Sequence, residues 1–468
     1  MSLNIASRHR CVPALLLCAG VALPWALVHA ATAPPPVAHS AAPFRAGGSV
    51  TGETPNLPTV DDAAAVAGAS LSADRLVREV WQSNRGIDAM RAAAAAANAR
   101  IESAGALDDP MVSYAAAPNT AGGPRQGLNQ NVQVSQQLPW PGTLELRTRM
   151  ASAEAESAEQ QVADLRWRLA ANARADFAQW YYVHQAMAIN TSNIALLKRL
   201  RAVANAAYAS GQSPEQDVLQ AEVELTRLDN QTLTLKRMQR TVQAKINALQ
   251  NRDPDAAVPA PADLPAQRPL PTYAALRDAA LAHYPMLRSL DARVSASRNG
   301  VDLAHKANYP KLKLMAGYNS LWDMPAKRLV IGVGFSIPFG GNHRGQVREA
   351  DARLDESEAK LADARTQLLS DLDQTRETAA QATATIDLYR KKLLPLTRLN
   401  LQAAEADYSG GNGDFLKLIT AEQQHLMAKL ELVRARADFY TQLASLDYQT
   451  GGALQSSSIS ATAQDATR

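Results

Sequence analysis

The sequence predicts a mainly α-helical protein with a smaller membrane β-sheet, built from two internal repeats. Alanine-rich stretches with apolar residues at alternating steps of four and three predict long helices that pack side by side. Four short segments alternate apolar residues with small or polar ones, which is typical of β-strands. One corner also occurs twice, 200 residues apart: Tyr208, Gly211, Ala221 and Glu222 recur as Tyr408, Gly411, Ala421 and Glu422.

Each repeat has the same predicted order of a shorter helix, two strands, a long helix, a tip and a second shorter helix. In the first repeat the shorter helices are expected over 71–105 and 214–250. The long helices are expected over 143–210 and 342–409, with a bend or break at Pro395. The predicted segments are 71–252 (first repeat), 253–271 (Pro-rich linker) and 272–452 (second repeat).

The N-terminus resembles a cleaved export signal over residues 1–30. A basic segment at 8–10 precedes an apolar run at 12–28. The run ends in Val-His-Ala at 28–30, a sequence that suits cleavage by signal peptidase. A membrane anchor is the alternative, although no second apolar run of that length follows. Residues 31–70 are expected to form a flexible leader, and residues 453–468 a flexible tail.

Both cysteines of the sequence lie inside the predicted signal, at Cys11 and Cys18. Lipidation of Cys18 is disfavoured because Leu17 stands where a lipoprotein signal needs a small residue. The mature chain is therefore expected to have no thiol, no disulfide and no cysteine-based metal site.

The predicted strands have the alternation of a transmembrane barrel, with lipid on one side and water on the other. A pair of soluble hairpins is the alternative. Four strands cannot close a barrel, so a membrane-spanning chain must oligomerise, giving eight strands from two copies or twelve from three. The residues expected on the lipid face are Val132, Val134, Leu312, Leu314, Ile331, Val333 and Phe335.

The repeated corner predicts a tight turn between two antiparallel helices. Gly211 can adopt the left-handed conformation that ends a helix, and residues 213–216 offer a capping box with proline at the first helical position. In the second repeat Gly411 lies in the glycine-rich turn, and Asp414 or Asn412 is the expected cap.

Composition argues against several other functions. The 48 Lys and Arg residues nearly balance the 45 Asp and Glu residues and are scattered, which argues against nucleic acid as a partner. No hydrolase, dinucleotide or phosphate-loop motif is complete, so no enzyme activity and no cofactor are predicted. No metal site is predicted, because these histidines are dispersed: His184, His283, His305, His343 and His425.

The sequence resembles the TolC family of outer-membrane efflux factors over about residues 71–452. "QLPWPG" at 137–142 and "SIPFGG" at 336–341 each precede a long helix, and "YASGQSPEQDVLQAE" at 208–222 matches the family's tip. The resemblance implies a trimer with a 12-stranded β-barrel in the outer membrane of a Gram-negative bacterium and a long antiparallel α-helical barrel in the periplasm. It also implies a periplasmic adaptor and an inner-membrane pump of the RND type as partners.

By the same resemblance, the tip contacts the adaptor and constricts the tunnel. The implied tip residues are Tyr208, Gly211, Asp217, Val218, Leu219, Tyr408, Gly411, Asp414, Lys417 and Leu418. Lys417 and Thr420 stand where some members of the family place carboxylates in a cation-attracting ring, so this chain departs from that pattern.

The cargo is the least determined feature. The tip and the "QLPWPGTLELR" segment are most similar to members of the CusC and CzcC kind, which serve heavy-metal resistance pumps. Channels for drugs or for type I protein secretion are alternatives. A periplasmic coiled-coil adaptor or scaffold is another, although two hairpins and two β-inserts in one chain favour a channel.

Overall fold

The structure is a computed structural model that describes residues 70–117, 129–320, 325, 328–338 and 342–454. The predicted signal peptide and nearly all of the predicted leader lie outside these residues. So does the predicted tail beyond Leu454. The described residues form part of one compact unit, Val60–Arg468.

The elements follow the duplicated order that the sequence predicts. The helices are α1 Ala73–Ser83, α2 Arg85–Gly105, α3 Thr143–Ala209, α4 Glu215–Leu249, α5 Tyr273–His283, α6 Pro285–Lys306, α7 Asn342–Leu388, α8 Leu394–Ser409 and α9 Phe415–Gln449. The strands are β1 Met111–Ala117, β2 Asn129–Leu138, β3 Lys311–Asn319 and β4 Leu329–Ser336. A π-helical turn, Tyr389–Leu393, connects α7 with α8.

The prediction of one shorter helix over 71–105 was wrong, because this segment is two helices in both repeats. Asn84 leaves helical geometry between α1 and α2, and its amide Nδ2 donates to the Leu249 carbonyl at 2.9 Å. Tyr284 occupies the same place between α5 and α6. It precedes Pro285, whose ring disfavours helical geometry in the residue before it.

The two long helices differ in continuity. Helix α3 runs for 67 residues without interruption, which confirms the prediction for the first repeat. In the second repeat the helical path is also continuous, but it includes the π turn immediately before Pro395. The wider π turn accommodates the proline ring, so the proline does not end the helix. No helix among the described residues is both long and apolar enough to cross a membrane.

The helices pack side by side in an order that changes along their length. Near the sheet, α3 packs against α2 and α6, and α6 packs against α7. Near the corners, α3 packs against α4 and α9, and α9 packs against α8. Leu197, Leu225, Leu401 and Phe415 lie in the buried apolar cluster of the corner end. The two repeats therefore share one wall of helices.

The strands form one antiparallel sheet in the order β1-β2-β3-β4. All four strands connect to their helices at the same end of the sheet. The register places Val134 opposite Val112 and Ala316, and Ala316 opposite Ile331. Apolar side chains thus align across the whole sheet on one face. This register confirms that the seven predicted residues share a face: Val132, Val134, Leu312, Leu314, Ile331, Val333 and Phe335.

Candidate functional site

The two helical corners lie together at one end of the wall. The Tyr408 hydroxyl, from the second repeat, donates to Oδ2 of Asp217, from the first repeat, at 3.3 Å. The Tyr408 ring also contacts the Phe415 ring, with centroids 5.1 Å apart. Phe415 is buried with Leu418 in the apolar cluster beneath the corners. We call this end, residues 208–222 and 408–422, the tip.

Glycine is required at the tip for its backbone conformation. Gly211 has φ +70° and Gly411 has φ +78°, the left-handed region that the sequence predicts at the end of each helix. A Cβ atom added at either position would meet nothing within 4 Å, so the constraint is conformational and not steric. Gly413 differs, because its added Cβ would lie 2.6 Å from the Tyr408 nitrogen.

The caps of the two returning helices differ from each other. The predicted capping box at 213–216 is wrong: Pro214 is the N-cap of α4, and no side chain caps that helix. The backbone of Pro214 is extended, and proline has no side-chain acceptor for the free N–H groups of the first turn. In the second repeat Asp414 caps α9 and accepts from the Leu416 nitrogen at 3.0 Å, as predicted.

Two groups at the tip have raised pKa values, because they are partly buried and lie close to negative charge. Partial burial raises the pKa of Asp217, and nearby Asp414 adds to this effect, while the hydrogen bond from Tyr408 opposes it. Burial also raises the pKa of Tyr408, and the Asp217 charge reinforces the shift. Tyr408 therefore remains a hydroxyl donor at neutral pH.

The predicted tip residues fall into three groups by exposure. The exposed group is Tyr208, Gly211, Leu219, Gly411, Asp414 and Lys417. Asp217, Val218 and Tyr408 are half-buried where the two corners meet. Leu418 is fully buried in the apolar cluster, so within one chain its side chain holds the corners together and is not presented outward.

Sequence reasoning missed a buried polar contact between the repeats. Glu422 of α9 is 1% exposed, and its Oε1 accepts from Nδ2 of Asn193 on α3. Beside it, Gln423 donates to Glu224 of α4 at 2.8 Å. In the first repeat the equivalent Glu222 is exposed and pairs with Arg201 at 2.8 Å. The 200-residue repetition points to Glu422, but it gives no sign that the two copies differ in burial.

Glu422 predicts a pH-dependent stability. Burial raises the pKa of Glu422 to about 7, with Glu224 adding to the shift and Asn193 and Lys429 opposing it. The folded chain then binds more protons than the unfolded chain between the ordinary glutamate pKa, about 4.3, and about 7. The free energy of unfolding should fall as pH rises through this window.

The Glu422→Gln substitution is expected to remove this pH dependence, because the amide cannot ionise. The effect should amount to about 1–3 kcal/mol per subunit across the window. It is measured as the shift of the thermal midpoint in detergent below and above the window. Glu222→Gln, at the exposed equivalent position, is the matched control. Equal pH profiles for the Glu422→Gln variant and the unaltered chain would contradict the assignment.

The sheet presents a second candidate site, an exposed apolar face. Ile331 is 81% exposed, Phe335 67% and Val333 56%, although burial of such side chains is strongly favourable. On the opposite face, Ser135 is only 5% exposed while its neighbour Val134 is 44% exposed. At these positions the apolar face of the sheet is the more exposed of its two faces.

Residues 276–452 match the family of outer membrane efflux proteins. The match lies within the second repeat. The family is one of channel proteins. Its match confirms the resemblance that the sequence analysis identified, and it confirms the predicted outer-membrane location.

A curated relative extends this likeness. The alkaline protease secretion protein AprF of Pseudomonas aeruginosa is 27% identical over 189 residues, which are 38% of this chain. The match spans 39% of that relative's length.

Solved structures of outer-membrane channels share the fold of both repeats. OprN superposes with a TM-score of 0.72 at 21% identity, over 81% of this chain and 90% of that one. VceC of Vibrio cholerae gives 0.71 at 18% identity, over 81% and 96%. CusC gives 0.71 at 14% identity, over 81% and 92%. The predicted TolC-like fold is thereby confirmed.

Proposed function

We propose that this chain is the outer-membrane channel of a tripartite efflux system. It conducts substrates passively from an inner-membrane pump and a periplasmic adaptor to the exterior. The observation that carries the proposal is the combination, in one chain, of an outward apolar sheet face and a helical wall that ends in a paired tip. An enzyme or a soluble scaffold has no use for the first of these features.

The channel is a homotrimer in this proposal, because the sheet and the helical wall both have open edges. Four strands leave two unpaired edges, which are not tolerated in lipid, and three chains supply twelve strands. The edge helices of the tip end also carry exposed apolar residues. These are Val223 and Leu233 on α4 and Leu396 and Leu399 on α8. Packing α4 of one subunit against α8 of the next would bury them and close a helical barrel.

The partners follow from the location of the two sites. The apolar sheet face contacts outer-membrane lipid, and the tip docks a periplasmic adaptor that connects the channel to an RND-type pump. Exposed Leu219 and Tyr208 offer apolar contact area at the tip, while Asp414 and Lys417 offer charge. We propose the predicted tip residues as adaptor contacts. Leu418 is buried beneath them and supports the packing of the two corners.

Heavy-metal cations are the cargo that the sequence resemblance favours. The relative named for alkaline protease secretion points instead to protein export. The described residues contain no group of three or more His, Cys, Asp or Glu that could hold a metal ion. We propose efflux as the function and heavy metals as the cargo.

Membrane fractionation with chemical crosslinking tests the proposal. We expect a heat-modifiable trimer in the outer-membrane fraction, because open strand edges require three chains to close. Deletion of the gene should make cells more sensitive to the exported compounds. Recovery of a soluble periplasmic monomer would refute the channel and favour an adaptor or scaffold.

Valine at the two tip glycines tests the docking role. The Gly211→Val/Gly411→Val variant should lose efflux while the trimer and the sheet stay intact, because β-branched residues strongly disfavour a positive φ. The cost is about 1–2 kcal/mol at each corner. Resistance assays, together with crosslinking from Gln212 and Asn412 to the adaptor, measure the outcome.

The matched control is the Gly211→Asn/Gly411→Asn variant. Asparagine tolerates the left-handed region, and an added Cβ meets nothing within 4 Å, so efflux should be largely retained. Full efflux by the valine variant would show that the corners are simple helical turns.

A further inference from the structure

The four described strands contain only two charged residues, and both are lysines. Lys311 and Lys313 open strand β3, and β1, β2 and β4 have no charged residue. Because β3 follows α6, the two lysines lie at the end of the sheet that adjoins the helices. Their charge is therefore concentrated at the junction of the sheet and the helical wall.

Both lysines are on the polar face of the sheet. The register pairs Lys313 with Gln137 on one side and Gly334 on the other, and Lys311 with Ser336. Leu312 and Leu314 alternate with them on the apolar face, opposite Phe335 and Val333. The cross-strand neighbours of the lysines are thus an amide, a glycine and a hydroxyl, and none of them is a carboxylate.

The surroundings at the junction keep the charge positive. A cavity of about 180 Å³ between the sheet and the helices has Lys311 in its lining. Arg147 and Lys306 add two further cations there, and Asp108 is the one carboxylate among its lining residues. Within this described cavity the basic groups outnumber the acidic one by three to one.

We propose that Lys311 and Lys313 form a cationic ring inside the barrel and make the channel prefer anions to cations. The inference rests on the proposed trimeric channel, in which the apolar face meets lipid and the polar face lines the water-filled interior. Two lysines from each of three subunits then place six ammonium groups in a short zone at the helix-proximal end of the barrel.

A ring of this kind acts on every solute that passes. In a narrow aqueous conduit with low-dielectric walls, like charges focus the potential and enrich counter-ions. The screening length is about 10 Å at 0.1 M salt, which is comparable to the dimensions of a barrel interior. Anionic solutes, including metal complexes of net negative charge, are the substrate class that this ring favours. Free divalent cations are disfavoured, so under this inference the metal cargo proposed above passes the ring as anionic complexes and not as free cations.

Planar lipid bilayers containing the purified full-length trimer test the inference, with potassium chloride as the probe. In a salt gradient, the reversal potential should give a chloride-to-potassium permeability ratio above one. The Lys311→Gln/Lys313→Gln variant should lower this ratio by roughly threefold, because its conduit loses the ring. Lys313→Arg keeps the charge and should keep the ratio.

Gln137 supplies a second and independent variant, because it faces Lys313 across the sheet. Gln137→Lys should raise the ratio and Gln137→Glu should lower it, each without removal of a native lysine. A cation preference in the unaltered channel, or one ratio shared by all charge variants, would overturn the inference and leave the channel function standing. Absence of any conducting channel from a well-formed trimer would refute the proposed function, and the inference with it.

Discussion

The Val333→Arg variant is expected to be nearly absent from the outer membrane as an assembled trimer. Val333 is 56% exposed on the apolar face, in the middle of β4 and opposite Leu314. An arginine at mid-bilayer costs about 2–4 kcal/mol on the lipid face of a membrane barrel, and a trimer incurs this cost in every subunit. The heat-modifiable trimer band in outer-membrane fractions measures the effect.

Val330→Arg is the matched control, since it makes the same change in the same strand on the opposite face. Val330 lies opposite Gly317 on the polar face of the sheet. In the proposed barrel this arginine enters the aqueous interior, so assembly should be close to normal. Normal trimer levels for Val333→Arg, or equal loss for both variants, would contradict the assigned facing of the sheet.

Loss of the Arg174 side chain is expected to destabilise the centre of the helical wall. Arg174 on α3 donates to Oδ2 of Asp447 on α9 at 2.9 Å, and their side chains are only 7% and 5% exposed. Removal of one partner of a buried ion pair typically costs about 3–5 kcal/mol, because the other charge stays buried. The thermal midpoint of Arg174→Leu in detergent should therefore fall well below that of the unaltered chain.

Two further variants test whether the loss of stability comes from burial of the ion pair or only from removal of a charge. Arg298→Leu removes an exposed ion pair between α6 and α7, with Glu358 at 2.9 Å, and should cost no more than about 1 kcal/mol. In the double variant Arg174→Leu/Asp447→Leu, apolar side chains replace both charges, so much of the lost stability should return. Equal midpoints for the Arg174→Leu and Arg298→Leu variants would contradict the importance of burial.

Much of the fold was predictable because its signals are local and long. Helix α3 has an apolar pattern sustained over 67 residues without proline or glycine, and the strands alternate faces with a period of two. The left-handed glycines were predictable because a helix stop needs such a residue. The break at Asn84 was missed, since asparagine inside a helical pattern is only mildly unfavourable.

The tip contacts could not be predicted from the sequence. Tyr408 and Asp217 are 191 residues apart, and Asn193 and Glu422 are 229 apart. Whether such residues meet depends on which faces of the two hairpins pack together, and residue spacing within each hairpin does not determine that. The buried state of Glu422 also depends on the position of α9 between α3 and α8, whereas α4 is at the edge of the wall.

The different environments of Glu222 and Glu422 describe how a duplicated unit loses its symmetry. Three chains of two repeats would make a ring of six similar hairpins, in which every seam could in principle be alike. Only the seam between α3 and α9 lies within one polypeptide, and that seam holds the buried Asn193–Glu422 contact. In the proposed trimer, the seam between subunits would instead carry the leucines that are exposed in one chain. The proposed ring would thus have threefold chemical symmetry although its outline is nearly sixfold, and its alternate seams could diverge independently during evolution.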